Sequence, residues 1–165
     1  MQTRRSLVLG GLVLTVGCAR AQPQLAAASE ADVAAVTQLA ASMDSSAGTL
    51  DAFMSHFADD VVVLMPDEMP IEGKAAAQDW YQNTFSTYYV AQHYAPAEVH
   101  SVGNLLVSRG DVSGTWTPKA GTQPLSWANK FLMLLLRQTD GSLRIWRLAL
   151  SPYAQALEPP PIPQP

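Results

Sequence analysis

The chain has 165 residues, 48% of them hydrophobic, enough for one compact domain with an ordinary core. Its formal charge is −4 and no basic run follows the leader, which excludes nucleic acid as a partner. Cys18 is the only cysteine, so no intramolecular disulfide can form.

The first segment reads as an export signal. Arg4 and Arg5 supply a positive start. Ser6 to Gly17 is apolar but too short for a stable membrane span, and Ala19-Arg20-Ala21 fits a small-x-small cleavage site. Cleavage before Gln22 removes Arg4, Arg5 and Arg20 and no acid, which deepens the charge from −4 to −7. Thr3-Arg4-Arg5-Ser6-Leu7-Val8 also suits a twin-arginine signal, and a general secretory start remains open beside it. Thr15-Val16-Gly17-Cys18 is similar to a lipobox. Thr15 stands where leucine is usual, so soluble release is expected and lipidation of Cys18 is the alternative. Either route predicts a periplasmic or secreted protein.

Residues 22–28 read as a linker, 29–153 as the domain and 154–165 as a solvated Pro-rich tail. Ser29 with Glu30 and Asp32 signals a helix start. Val33, Val36, Leu39, Ala40 and Met43 follow at helical spacing. Thr49 is positioned to cap a second helix with a Leu50, Phe53, Met54, Phe57 stripe, ended by Asp59-Asp60. Val61 to Met65 is a β-branched buried strand, and Pro66 and Pro70 bracket a turn. Ile71-Glu72-Gly73 is a short return strand, and Lys74 to about Phe85 is a third helix. Four antiparallel strands then run from Tyr94 to Val102, Leu105 to Thr117, Leu125 to Arg137 and Leu143 to Ser151. Gly103-Asn104 and Asp140-Gly141 mark turns.

FADDVVVLMP, IEGKAAAQDWY and RQTDGSLRIWRLALS occur in this order along Glu30 to Tyr153. In them the chain resembles the nuclear transport factor 2-like superfamily of SnoaL-like and ketosteroid-isomerase-like domains. The resemblance implies an α+β fold in which a cone-shaped, curved antiparallel or mixed sheet wraps three N-terminal helices around a closed-ended pocket. It implies no single activity, because such a fold hosts isomerases, cyclases, dehydratases and binding modules. The isomerases of this group place a carboxylate base just before a proline at the end of the first strand. That position resembles Met65 before Pro66, and a thioether cannot take up a proton near neutral pH. Their oxyanion tyrosine on the first helix has no counterpart in Glu30 to Asp44.

The remaining candidates are read from residue types. Asp67 and Glu68 are substitute acids beside the prolines, or ordinary turn residues. Asp59 and Asp60 suit bonding to nearby backbone amides better than metal binding. Glu98 and His100 share a strand face, but even with His93 they do not make the set of three that an open zinc site uses, so no metal or cofactor is expected. His56 should be a packed or edge histidine. Strict alternation along the last strand places Arg147 with Leu143, Ile145 and Ala149. Where the superfamily often has a pocket histidine, this position looks like Arg147, either facing the pocket and paired with an acid or an anionic ligand, or at the rim in solvent. Met65, Met69, Trp80, Tyr81, Phe85, Trp116, Trp127 and Trp146 are available to line a cavity or to fill a core. Both faces of Leu125 to Arg137 are apolar, so a homodimer packed sheet to sheet is expected, with Lys130 at the pocket mouth or the interface. Three functions follow as expectations. The first is a domain binding a small apolar molecule. The second is a pocket enzyme using Asp67, Glu68, His100 or Arg147. The third is a partner-binding module working through its sheet faces.

Overall fold

The computed structural model describes residues 26–121 and 123–153, apart from the side chain of residue 46. The expected signal segment, Cys18 and the Pro-rich tail lie outside the described residues. Within the expected linker, Ala26–Ala27 form a short strand, β1. α1 (Glu30–Ser46) starts at a capping box. The Ser29 hydroxyl accepts from the Asp32 N–H at 3.2 Å, and the Asp32 carboxylate accepts from the Ser29 N–H at 3.3 Å. Val36, Leu39, Ala40 and Met43 are buried as their spacing predicts, whereas Val33 is exposed.

Asp32 also pairs with Arg137 at the far end of the sheet. The Ser29 hydroxyl first, and Arg137 after it, hold the Asp32 carboxyl below the usual aspartate range. Replacing Ser29 by alanine is expected to lower stability by about 1 kcal/mol at neutral pH, read by urea denaturation. A lowered folded-state value stabilises above the ordinary aspartate range, and that contribution is lost as pH falls through the folded value. The gap between the wild type and Ser29→Ala should therefore narrow in strong acid, leaving the part due to the Asp32 N–H bond to the hydroxyl.

The second helix is shorter than expected. α2 (Leu50–Met54) has Thr49 at its N-cap without a side-chain capping bond. β2 (Phe57–Leu64) already begins at Phe57. The Ile145 N–H takes the His56 carbonyl at 2.8 Å, so the sheet captures the backbone before the helix can continue. Asp59 and Asp60 thus lie in a strand, inside an irregularity between the Phe57 and Val62 pairings. The Asp60 carboxylate accepts from the Trp146 indole at 2.9 Å rather than from a backbone amide.

β3 (Ile71–Glu72), α3 (Lys74–Thr87), β4 (Tyr88–Val102), β5 (Leu105–Pro118), β6 (Leu125–Arg137) and β7 (Leu143–Pro152) complete the chain. β4 starts at Tyr88, six positions before the expected Tyr94, because α3 passes into it without a loop. The sheet order is β1-β4-β5-β6-β7-β2-β3. Neighbours are antiparallel except β2 and β7, which are parallel. The fold is α+β, one mixed sheet curled around the helices. The core lies between them, with Phe53, Phe57, Met43, Leu135, Ile145 and Leu148 fully buried.

The Asp44 carboxylate ties α1 to β4. It accepts from the Tyr94 N–H at 2.8 Å and meets His93 Nδ1 at 2.8 Å. Among the described residues, no helix is long and apolar enough to cross a membrane.

Candidate functional site: an aromatic cavity between α3 and the sheet

A cavity of about 270 Å³ opens between α3 and the concave sheet face. α3 offers Trp80, Tyr81, Thr84 and Phe85 at helical spacing, with Phe53 of α2 behind them. Alternation along the strands aims Val90, Gln92 and Tyr94 of β4, Trp116 of β5, and Trp127 and Asn129 of β6 into the same space. Leu150 adds to the wall, and Met65, Pro66 and Glu68 contribute from the turn after β2.

Two aromatic walls face the space. On one side the Trp116 and Trp127 rings lie 5.7 Å apart at 34°, continued by Tyr88 at 5.9 Å from Trp116. On the other, Tyr81 meets Trp80 at 5.0 Å and Phe53 at 5.1 Å, both edge-on. Gly114 sets how Trp127 lies. A Cβ there would fall inside contact distance of the Ala91 carbonyl oxygen and 2.8 Å from the indole Cζ2. The bare backbone is what lets the ring approach β5.

The cavity is uncharged inside. Burial raises the Tyr81 hydroxyl well above its usual pKa, with the neighbouring Tyr94 phenol adding to the effect. Burial likewise raises Tyr94, helped by the charge of Asp44. Both phenols remain protonated donors through the neutral range. Among the described residues the lining contains no histidine, cysteine, lysine or arginine, and its one carboxylate, Glu68, is exposed at the rim.

The expected site residues divide between inside and outside. Met65, Glu68, Trp80, Tyr81, Phe85 and Trp116 line the cavity. Asp67 does not. It occupies the third position of a turn closed by the Glu68 N–H on the Met65 carbonyl, with φ 62 behind Pro66. Met69 is 83% exposed, carried outward between the two prolines.

Arg147 faces away from the cavity. β7 holds one extra residue between the Leu134–Arg147 and Leu135–Ile145 pairings, and this bulge reverses the alternation beyond Ile145. Leu148 and Leu150 therefore turn inward. The Arg147 guanidinium donates to the Asp60 and Trp146 carbonyls at 3.0 and 2.7 Å and lies 3.9 Å above the Trp146 ring. Lys130 also faces outward, since its neighbours Trp127 and Asn129 point in, and its Nζ lies 5.3 Å over Tyr153. His100 sits on β4 away from the cavity, where Glu98 lies between it and Arg109. Glu98 is held below the usual carboxylate range by His100 and Arg109, and His100 is raised mainly by Glu98. His56 is half-buried beside α1 and the β7 hairpin, and burial lowers its pKa.

Phe53, Pro66, Thr84, Val90, Gln92, Tyr94, Asn129 and Leu150 line the cavity beyond the residues that the sequence assigns to it. Period-two alternation through Tyr88 to Tyr94 carries the signal for Val90, Gln92 and Tyr94, once the strand is started at its true first residue.

A family model described as a SnoaL-like domain matches residues 36–143, well over half of the chain. The chain belongs to the SnoaL-like domain family. Solved structures share the fold of this SnoaL-like domain. A conserved protein from Planctomyces limnophilus is 19% identical, with a TM-score of 0.68 over 76% of this chain and 100% of its own. A ketosteroid isomerase-like protein from Erwinia carotovora atroseptica is 23% identical, with a TM-score of 0.65 over 77% of this chain and 100% of its own. A nuclear transport factor 2-like superfamily protein from Salmonella enterica is 15% identical, with a TM-score of 0.63 over 73% and 90%. At these identities the likeness is one of fold. None of the curated proteins matches the sequence.

Proposed function

We propose that this SnoaL-like domain binds a small, uncharged, mostly apolar molecule in the cavity between α3 and the sheet. One observation carries the reading: a 270 Å³ space walled by aromatic rings, with its single carboxylate at the exposed rim. Such a lining removes apolar surface from water and offers no interior charge to offset a buried ion. The position that resembles the isomerase base is Met65, which lines the cavity but accepts no proton near neutral pH. Glu68 supports the second reading, a pocket enzyme, as the one carboxylate within the lining. An open cavity supports both over a module that works only through its sheet faces.

The test is a fluorescence titration with the neutral probe N-phenyl-1-naphthylamine. The purified protein should bind it with a Kd on the order of 10 µM, about −7 kcal/mol. Thr84→Trp, which places an indole in the cavity, should abolish binding without lowering the melting temperature. No binding by the wild type would refute the proposal.

We also propose that the protein is exported and dimeric. Export rests on the leader, and the intact mass of the protein from its host would separate a Gln22 start from a lipidated Cys18. Dimerisation rests on the convex sheet face. Leu64 and Leu132 remain 44% and 47% exposed there, beside the half-buried Val62, Val107 and Leu134. Sedimentation should show a dimer that Leu132→Glu converts to monomer; a monomeric wild type would end this reading.

A further inference from the structure

A second hollow, of about 310 Å³, lies where α1, His56 and the β6–β7 hairpin meet, and it shares no residue with the aromatic cavity. α1 presents Gln38 and Ser42 to it, one turn apart on one face. The hairpin presents Ser142 and Arg144, and His56, just before β2, completes the wall. Among the described residues no aspartate or glutamate lines it.

The charge there is unbalanced. Arg109 pairs with Glu98, Arg137 pairs with Asp32, and Arg147 donates to two backbone carbonyls. Of the four described arginines, Arg144 alone has no hydrogen bond or ion pair to a described residue. Asp140 stands outside the lining, where it accepts the Ser142 N–H at 2.9 Å and forms no ion pair with Arg144. A half-buried guanidinium has lost part of its hydration, and a pair of anionic oxygens matches its planar fork. His56 adds a second basic group. Burial lowers its pKa, the Ser42 carbonyl opposes that, and the Arg144 charge lowers it further. The imidazole is therefore neutral at neutral pH and can gain a proton when a negative group offsets Arg144. The Ser142 hydroxyl is buried without a hydrogen-bond partner among the described residues. Ser42 is already committed, because its hydroxyl donates to the Leu39 carbonyl at 2.7 Å.

We propose that this hollow binds a small oxyanion, a carboxylate or phosphate group, with Arg144 as its main contact and His56 and Ser142 beside it. The site is independent of the binding proposed for the aromatic cavity.

The test follows the imidazole Cε1–H signals by NMR while acetate or sulfate replaces chloride at constant ionic strength. Acetate probes for a carboxylate, and sulfate is a stand-in for phosphate that does not itself titrate. His93 and His100 are internal controls, since they lie on β4 beside Asp44 and Glu98. The His56 signal should move saturably, with a Kd on the order of 1 mM for at least one of the two anions, while His93 and His100 follow the chloride series. The bound anion favours the charged imidazole, so it should raise the His56 titration midpoint by about 1 unit. Arg144→Gln should weaken binding at least about tenfold. Arg144→Lys, which keeps the charge without the fork, should weaken it roughly threefold. Melting temperatures and unchanged N-phenyl-1-naphthylamine binding confirm folded variants, and the tighter of the two anions gives the ligand class. A His56 signal that responds to neither anion beyond the chloride series overturns the proposal. So does undiminished anion affinity in Arg144→Gln, or equal movement of all three histidines, which reports a general salt effect rather than a site.

Discussion

Gly110→Ala is expected to destabilise the protein by about 3 kcal/mol or more, lowering the melting temperature by on the order of 10 °C. Gly110 faces the concave side of β5, opposite Phe131 of β6 and the bulged stretch Pro96 to Glu98 of β4. A Cβ at this position would enter the Ala95 carbonyl oxygen and stand 3.0 Å from the Ala97 nitrogen. These are backbone atoms, so no rotamer change relieves the clash. The strand would have to leave its partner, at the longest pairing in the sheet. Overpacking a well-packed interior costs about 1–3 kcal/mol even where side chains can yield, and here they cannot. Gly48 supplies the control. A Cβ there meets nothing within 4 Å, so Gly48→Ala should stay within about 0.5 kcal/mol of wild type. Urea denaturation of both variants reads the contrast, and equal stability would mean that β4 does not approach β5 as described.

Phe53→Ala is the second large effect. The ring is 1% exposed and sits 5.2 Å from Phe57, 5.1 Å from Tyr81 and 5.7 Å from Phe85. Removing a buried phenylalanine costs about 3–5 kcal/mol, through lost transfer energy and the void left behind. Because Phe53 also lines the cavity, that void should join it. Stability should fall while the cavity accepts a bulkier neutral probe than the wild type does. Leu148→Ala, equally buried but away from the lining, should lose about 2–5 kcal/mol without changing probe size. Similar probe selectivity in the two variants would separate Phe53 from the site.

Much of the architecture is legible in the chain because its signals are local. Helical spacing marks α1 and the cavity face of α3, and the bounds of β6 follow from a long apolar run that ends at polar residues. Trp80, Tyr81 and Phe85 could be assigned together because one helix face presents them all. Long-range pairing hides the rest. Phe57 continues the apolar spacing of the second helix, yet it belongs to a strand because β7 takes the His56 carbonyl. Tyr88 to His93 carries no turn residue to announce a strand, so the sequence alone does not assign Val90 and Gln92 to one. Arg147 shows the limit most sharply. One extra residue in β7 turns the side chains over, and only the register against β6 reveals it. The expected pocket cation is instead a clamp on the outside, stacked on Trp146 and bonded to backbone carbonyls. Met65 was readable as a departure from the isomerase pattern, and it lines the cavity as a thioether.

The four tryptophans offer the most direct test, because the fold divides them. Trp80, Trp116 and Trp127 line the cavity, and Trp146 lies outside it with its indole N–H on Asp60. The measurement is a ¹⁵N–¹H spectrum of the indole region during titration with N-phenyl-1-naphthylamine. The Trp80, Trp116 and Trp127 indole signals should move with ring-current changes as the probe enters, and Trp146 should stay in place. Movement of Trp146 with a stationary Trp127 would place binding on the outer face and contradict the account.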